Sequence, residues 1–471
     1  MNKTKTIATI GPASQDIVIL KALIENGVDL IRFNMNYADH NFCQEIIKKI
    51  RKIDKDLEKN TGIIIDLGGP SIRIGKLLSN QAFLIKGTKI RIYTEEMLGD
   101  STKFSINYPD LIKQIKINNI IKMSDGNIEL VVVDKQYNYL LCEVIKEGII
   151  YDNQKLNIPE IKVNLPFLNK KDQADIIFAN LVNADYLALS FVATAEDVLE
   201  INDKLIELGN NHLNILAKVE NESAINEIDD IIRVSEGIII ARGDLGISLP
   251  MERVPGIQKS IISKCHRSGK ISVVATELLS SMEQKSRPTR AEVSDVANAV
   301  LDGADAVMLC GETTIGKHPV ETLSIMEKIM RTAELDINYY DLSDKACRSE
   351  KQDITGVLSH SIVQCANMLN CKAIIVPTMS GYTAKKLSRF RPNCPIIALT
   401  PKIETIKNLS LYFGIAAIKI EDLNTIDKII VCAKHIAINN LSLTKGDKII
   451  ITGGYPFKKV KHTNFIEIEE L

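Results

Sequence analysis

The chain of 471 residues is short of the features that mark a specialised environment or partner. Lys and Arg number 58 against 59 Asp and Glu, for a net charge of −1. No excess of one sign therefore points to nucleic acid or to a membrane surface. The nine cysteines include no Cys-x-x-Cys pair and no Cys/His spacing suited to zinc. That argues against a disulfide framework and for reduced thiols. No apolar run approaches the ~18 residues of a membrane span. The segment 1–11 has no apolar signal-peptide core, and no stretch is of low complexity. The expectation is a cytoplasmic α/β protein of several domains, with neither nucleic acid nor membrane among its partners.

What is present is a repeated strand–helix unit. In Gly237-Ile-Ile-Ile-Ala-Arg-Gly-Asp-Leu-Gly246, the apolar run Ile238 to Ala241 reads as a strand buried on both faces. It ends in Arg242, Gly243 and Asp244. Upstream, Ile215-Leu-Ala-Lys-Val-Glu-Asn221 has the same design and ends in Lys218 and Glu220. Two carboxylates and a lysine at neighbouring strand ends can hold a divalent cation and stabilise an anion. Singly, each is as readily a solvated turn, so the number of units decides. Six further runs share the pattern: Thr6–Ile10, Leu30–Asn34, Ile63–Asp66, Tyr186–Ser190, Ser272–Ala275 and Ala306–Leu309. Helical patterns lie between them, such as Gln15–Glu25, Glu196–Leu208 and Arg290–Leu301, the last with Val293, Val296, Ala297, Val300 and Leu301 on one face. Eight units predict a (β/α)8 TIM barrel, not an open doubly wound sheet, with reactive groups at the C-terminal strand ends. Arg32, Asn34, Asp66, Ser190, Lys218, Glu220, Asp244, Thr276 and Glu312 all fall there.

The period breaks between the third and fourth runs. Residues 70–166 alternate, as in Asn127–Val133 and Tyr139–Ile145, with turn signals at Ser124-Asp-Gly126 and Asn153. This predicts a small β-barrel domain inserted after strand 3, either a lid over the barrel mouth or a bystander. The barrel is then discontinuous, 1–69 and 167–340. From 341 to 471, the strands Ala373–Val376, Pro395–Ala398, Ala416–Ile420 and Lys448–Ile451 alternate with helices, a separate three-layer α/β domain. Its Thr378-Met-Ser-Gly-Tyr-Thr383 is either a backbone cradle for a phosphate or a plain turn capped by Ser380 or Thr383.

The succession of barrel, β insert, barrel and α/β domain resembles pyruvate kinase along essentially the whole chain. So do Lys5-Thr-Ile-Ala-Thr-Ile-Gly-Pro-Ala-Ser14, Lys218-Val-Glu-Asn221, Ala241-Arg-Gly-Asp-Leu-Gly246, Arg287-Pro-Thr-Arg-Ala-Glu292 and Asp302-Gly-Ala-Asp-Ala-Val-Met-Leu-Cys-Gly-Glu-Thr313. Thr452-Gly-Gly454 and Thr463-Asn464 also fit. The resemblance implies phosphoryl transfer from phosphoenolpyruvate to ADP, giving ATP and, after protonation of the enolate, pyruvate. It implies Mg²⁺ (or Mn²⁺) on Glu220 and Asp244, and the substrate carboxylate on the backbone of Gly243 and Asp244. Lys218, Arg32 and Arg73 are then the groups that meet the phosphoryl oxygens, and Thr276 the one beside the protonated face. K⁺ is implied on Asn34, Asn36, Asp66 and the carbonyl of Leu67. A sugar-phosphate effector on Thr378, Ser380, Gly381 and Thr383 and a homotetramer complete the implied picture.

Several positions depart from the family pattern. Asn36 stands for a serine at the K⁺ site and Tyr37 for a histidine. Ser71 stands where glutamate accompanies K⁺ dependence and lysine K⁺ independence. Ala193, Glu277 and Cys310 replace arginine, glutamine and serine. The Lys218–Glu220–Asp244–Thr276 centre is unchanged, which favours an active enzyme over two other readings. One is a paralogue with little turnover that senses metabolites; the other is a metal-dependent enolate lyase on the same barrel.

Overall fold

Eight short apolar runs close on themselves because each is buried on both faces, against the barrel interior and against a surrounding helix. In chain order they are β1 (Lys5–Thr9), β2 (Leu30–Asn34), β3 (Gly62–Asp66), β4 (Tyr186–Leu189), β5 (Asn214–Val219), β6 (Gly237–Ala241), β7 (Ile271–Ala275) and β8 (Ala306–Leu309). All pair in parallel with their sequence neighbours, and β8 returns to β1 through Lys5 opposite Ala306. The computed structural model describes residues 2–124, 126–158, 166–210, 212–347, 353–421, 425–454 and 463–471. Residues 159–165, expected as the end of the insert, lie outside these.

The period of two along a strand sorts every side chain. Ile63, Ile65, Ile238 and Ile240 face the helices, while Ile7, Leu30, Ile64, Tyr186, Leu216, Ile239, Val273 and Met308 fill the barrel. The interior residues form one continuous core with Ile362, Ile374 and Leu387 of the C-terminal part, which plugs the barrel's lower end. The helix Arg290–Leu301 starts at a capping box, with Thr289 and Glu292 exchanging backbone and side-chain hydrogen bonds. Its buried face is Val296, Ala299 and Val300. Val293 and Leu301, expected on that face, are exposed, so the apolar stripe is narrower than the sequence suggests.

After β3 the chain leaves the barrel. Seven strands between Ile72 and Asn157 form one sheet, with Gln81–Leu84 and Gly148–Tyr151 as a two-stranded companion. Leu84, Ile92, Phe104, Leu130, Leu140 and Val144 give them a core of their own. The C-terminal sheet has five strands, the central one being Ala373–Pro377. Its fifth, Phe465–Glu470, runs antiparallel to Lys448–Gly453 and was not expected. It is an edge strand on which Glu467 and Glu470 are exposed and Glu469 pairs with Lys434 at 2.9 Å, and charges on an edge suppress pairing with other chains. Among the described residues, no helix is long and apolar enough to cross a membrane.

Candidate active site

Continuing the inward phase of each strand by one step past its apolar stretch gives a ring of polar side chains on the barrel axis. Leu30 is followed in phase by Arg32 and Asn34, Ile64 by Asp66, Tyr186 and Ala188 by Ser190, Leu216 by Lys218 and Glu220, and Ile7 by Thr9. The structure brings most of them into one network. Asp66, 1% exposed, lies 2.6 Å from Arg32 Nε and 3.3 Å from Lys218 Nζ. Ser190 accepts from Lys218 at 2.7 Å and donates to Asp66 at 3.3 Å. Lys218 also pairs with Glu220 at 3.0 Å, and Arg32 Nη1 donates to Thr9 Oγ1 at 2.9 Å. Glu220 accepts the Phe191 N–H at 3.0 Å. Thr9 was missed from sequence, although its inward phase was readable.

Burial works against both cations of this network, yet both remain charged. Lys218 is held above its ordinary value by Asp66 and then Glu220, and Arg32 by Asp66. Burial pushes the Glu220 carboxyl up; Lys218 opposes this and the charge of Asp244 adds to it. Asp244 is half-buried, which alone would raise it, but Lys155, then Lys218 and Arg32, hold it below the usual carboxylate range. The two carboxylates thus share one field, with cations on either side.

Asp244 lies in the first turn of the short helix Arg242–Ser248, which follows β6 directly. Gly243 N–H donates to Thr276 Oγ1 at 2.8 Å, and that hydroxyl donates to the Ala275 carbonyl at 2.6 Å. Thr276 and Glu277 both have positive φ, 68° and 53°, so the chain turns sharply at the end of β7. Arg242 braces this turn, donating to the carbonyls of Thr276 at 2.8 Å and Glu277 at 3.1 Å, and pairing with Asp295 at 2.7 Å. The Glu277 side chain is exposed to solvent, while Cys310 Sγ sits 3.8 Å from Arg32 Nη1.

Arg73 stands apart from this network. It belongs to the insert, where Nε donates to Ser71 Oγ at 3.1 Å and Nη1 to the Asn153 carbonyl at 2.8 Å. Asn34 Oδ1 accepts the Asn36 N–H at 3.1 Å, and the Met35 N–H donates to the Asp66 carbonyl at 2.9 Å. These bonds tie the ends of β2 and β3 together. A Cβ at Gly68 would meet Asn36 Oδ1 at 2.7 Å, so a larger residue there would push the Asn36 amide aside. Among the predicted effector residues, Thr378 Oγ1 accepts the Gly381 N–H at 2.9 Å and Ser380 is exposed. Gly381, at φ 78°, caps the helix Tyr382–Ser388, and Thr383 is buried with its hydroxyl 2.8 Å from that of Thr463.

Comparisons with known proteins identify the family. Residues 1–323 match the family model "Pyruvate kinase, barrel domain", and 357–469 match "Pyruvate kinase, alpha/beta domain". The chain belongs to the pyruvate kinase family. The pyruvate kinase of Clostridium perfringens is 38% identical over 474 residues, covering 100% of both chains. That of Geobacillus stearothermophilus is 38% identical over 99% of this chain and 80% of its own length. A crystal structure of a pyruvate kinase from Cryptosporidium parvum superposes with a TM-score of 0.91 at 33% identity, covering 100% of this chain and 96% of that one. As a member of the pyruvate kinase family the chain is a phosphotransferase built on a TIM barrel.

Sequence reading overlooked one further residue of the mouth. Lys155, from the insert strand Lys155–Asn157, forms an ion pair with Asp244 and lies 3.9 Å from the Phe191 ring centroid.

Proposed function

We propose that this chain moves the phosphoryl group of phosphoenolpyruvate to ADP and releases pyruvate, using the network around Lys218. The observation that carries this reading is the unbroken chain of contacts from Arg32 through Asp66 and Ser190 to Lys218 and Glu220. Phosphoryl transfer demands positioning and charge neutralisation more than covalent chemistry, and this network supplies both in a buried setting. Arg32 and Lys218 meet the phosphoryl oxygens, with Arg73 approaching from the insert. Asp66 holds both barrel cations in place. Lys218, charged at every working pH, faces the developing enolate oxygen. The backbone of Gly243 and Asp244 receives the carboxylate, and Thr276 lies beside it at the face where the enolate takes its proton.

Glu220 and Asp244 suit a magnesium ion. Among the described residues no third acidic, His or Cys ligand joins them. Magnesium is commonly held by one or two carboxylates together with substrate oxygens and water. When bound there, the ion would neutralise charge on the transferred group. Oxygens of Asn34, Asn36 and Asp66 and the carbonyl of Leu67 suit K⁺, beside a loop where a Cβ at Gly68 would displace the Asn36 amide. A phosphate-bearing effector would lie at Thr378, Ser380, Gly381 and Thr383, and activation by one of a panel of sugar phosphates is expected; no activation by any of them would remove that assignment.

The deciding measurement is pyruvate release from phosphoenolpyruvate and ADP with Mg²⁺, with and without K⁺. ADP-dependent turnover that rises with K⁺ supports the whole reading. Turnover indifferent to K⁺ rejects the cation site alone. Absence of turnover with any nucleoside diphosphate rejects the function.

A further inference from the structure

Lys155 reaches across from the insert to the barrel. It opens the strand Lys155–Asn157, which lies between Ile72–Arg73 and Ile120–Met123 in the seven-stranded sheet. Its ammonium donates to Asp244 Oδ1 and stands over the Phe191 ring. Phe191 has a left-handed backbone, φ 60°, and its N–H donates to Glu220 Oε2 at 3.0 Å. Lys155 is therefore seated against one carboxylate directly and against the other through a single residue. Its side chain and that of Asp244 are each 24% exposed, so water reaches the pair.

We propose that Lys155 is a positioning residue of the insert: it holds Asp244 while no divalent ion is present, and the ion displaces it. The proposal rests on the reading of Glu220 and Asp244 as the ion's ligands. An ammonium and a dication repel at contact distance, and the two compete for the single carboxylate of Asp244. Loading the ion thus forces the ammonium off Asp244, and the Phe191 face offers it a neighbouring resting place. The insert loses its ionic tie to the barrel mouth and keeps a weaker one, the donation from Lys122 Nζ to the Ile247 carbonyl at 3.5 Å. Coupling of this kind is reciprocal, so whatever loosens Lys155 tightens ion binding by the same factor.

The test is Mn²⁺ binding to the full-length protein without substrate, read from the electron paramagnetic resonance of free Mn²⁺. Lys155→Met keeps the alkyl stem over Phe191 and removes the charge, and Mn²⁺ affinity is expected to rise about tenfold. Lys155→Arg keeps the charge and is expected to stay close to the unmodified protein. Lys122→Met removes an insert–barrel contact that involves no carboxylate and is expected to change nothing. An unchanged affinity in Lys155→Met, or an equal rise in Lys122→Met, overturns the proposal. Asp244→Asn separates the two layers: if it leaves Mn²⁺ binding intact, the ion-site reading falls and this inference with it. If it abolishes binding while Lys155→Met has no effect, only this inference falls. Amide hydrogen exchange gives a second readout: Mn²⁺ should accelerate exchange across Lys155–Asn157 in the unmodified protein, and exchange there should already be fast in Lys155→Met. No acceleration by bound Mn²⁺ counts against release of the insert.

Discussion

Asp66 Oδ2 lies 2.6 Å from Nε and 2.5 Å from Nη2 of Arg32, with the carboxylate 1% and the arginine 6% exposed. This two-nitrogen geometry fixes the plane of the guanidinium and leaves Nη1 to Thr9. Arg32→Met would strand Asp66 with Lys218 as its remaining cation, at a cost of about 3 kcal/mol or more. Arg32→Lys keeps a charge but loses the fork, so it should restore most of the stability and little of the affinity for phosphoenolpyruvate. Urea unfolding and substrate titration separate the two effects. Equal losses of both in the lysine variant would contradict the assignment of Arg32 to substrate.

In the proposed reaction Lys218 carries the charge that faces the enolate, and its neighbours keep it there. Because Asp66 and Glu220 hold its pKa above the ordinary lysine value, it does not titrate in the range where the enzyme is assayed. Lys218→Met should lower kcat by on the order of 10² to 10³, as does the loss of one preorganised group facing developing charge. The loss should be the same at every pH from 6 to 9. A loss that shrinks toward high pH would mean that the lysine had been discharging there, contrary to its ion pairs.

The phase of the strands was legible from the sequence, and with it the site. Once Ile64 and Leu216 are known to face inward, Asp66, Lys218 and Glu220 must follow. The family motifs mark the same residues. Lys155 was not legible: it is 89 residues from Asp244, and the alternation of an insert strand does not say how its sheet sits on the barrel. Gly69 was equally hidden. Its φ of 67°, and the 2.6 Å that would separate its Cβ from the Ser190 carbonyl, become visible only when β3 and β4 lie side by side. The edge strand Phe465–Glu470 escaped because its three glutamates interrupt the apolar run by which the other strands of that sheet are recognised.

The lower end of the barrel is closed by a buried ion pair. Arg391 Nη1 lies 2.7 Å from Asp305 Oδ1, with 2% and 4% of the side chains exposed, and Nη2 donates to the Gly303 carbonyl at 2.9 Å. Asp305 also accepts the Ser272 N–H at 2.9 Å, so the pair joins the C-terminal part to the starts of β7 and β8. Arg391→Met should destabilise the protein by about 3 to 5 kcal/mol, because the carboxylate stays buried without its partner. Adding Asp305→Asn should recover part of that loss. If the double variant is less stable by the sum of the two single effects, the pair is not the joint it is taken to be.

His266 sets a limit at acid pH. Its Nε2 donates to the Arg389 carbonyl at 2.5 Å, and the residue is 5% exposed. Burial, then the Arg391 charge, depress its pKa to about 3, against a smaller upward pull from Asp305. Between pH 3 and about 6.5 the unfolded chain therefore binds a proton that the folded chain refuses, and stability must fall as pH falls. The slope from this one group is about 1.4 kcal/mol per pH unit. His266→Gln keeps an N–H donor for the Arg389 carbonyl and does not titrate. Whatever its stability at pH 7.5, it should gain on the unmodified protein by roughly that slope between pH 6 and pH 5. Urea unfolding at these three pH values measures the gap directly, and a gap independent of pH would show that His266 takes up its proton as readily in the folded protein as in the unfolded chain.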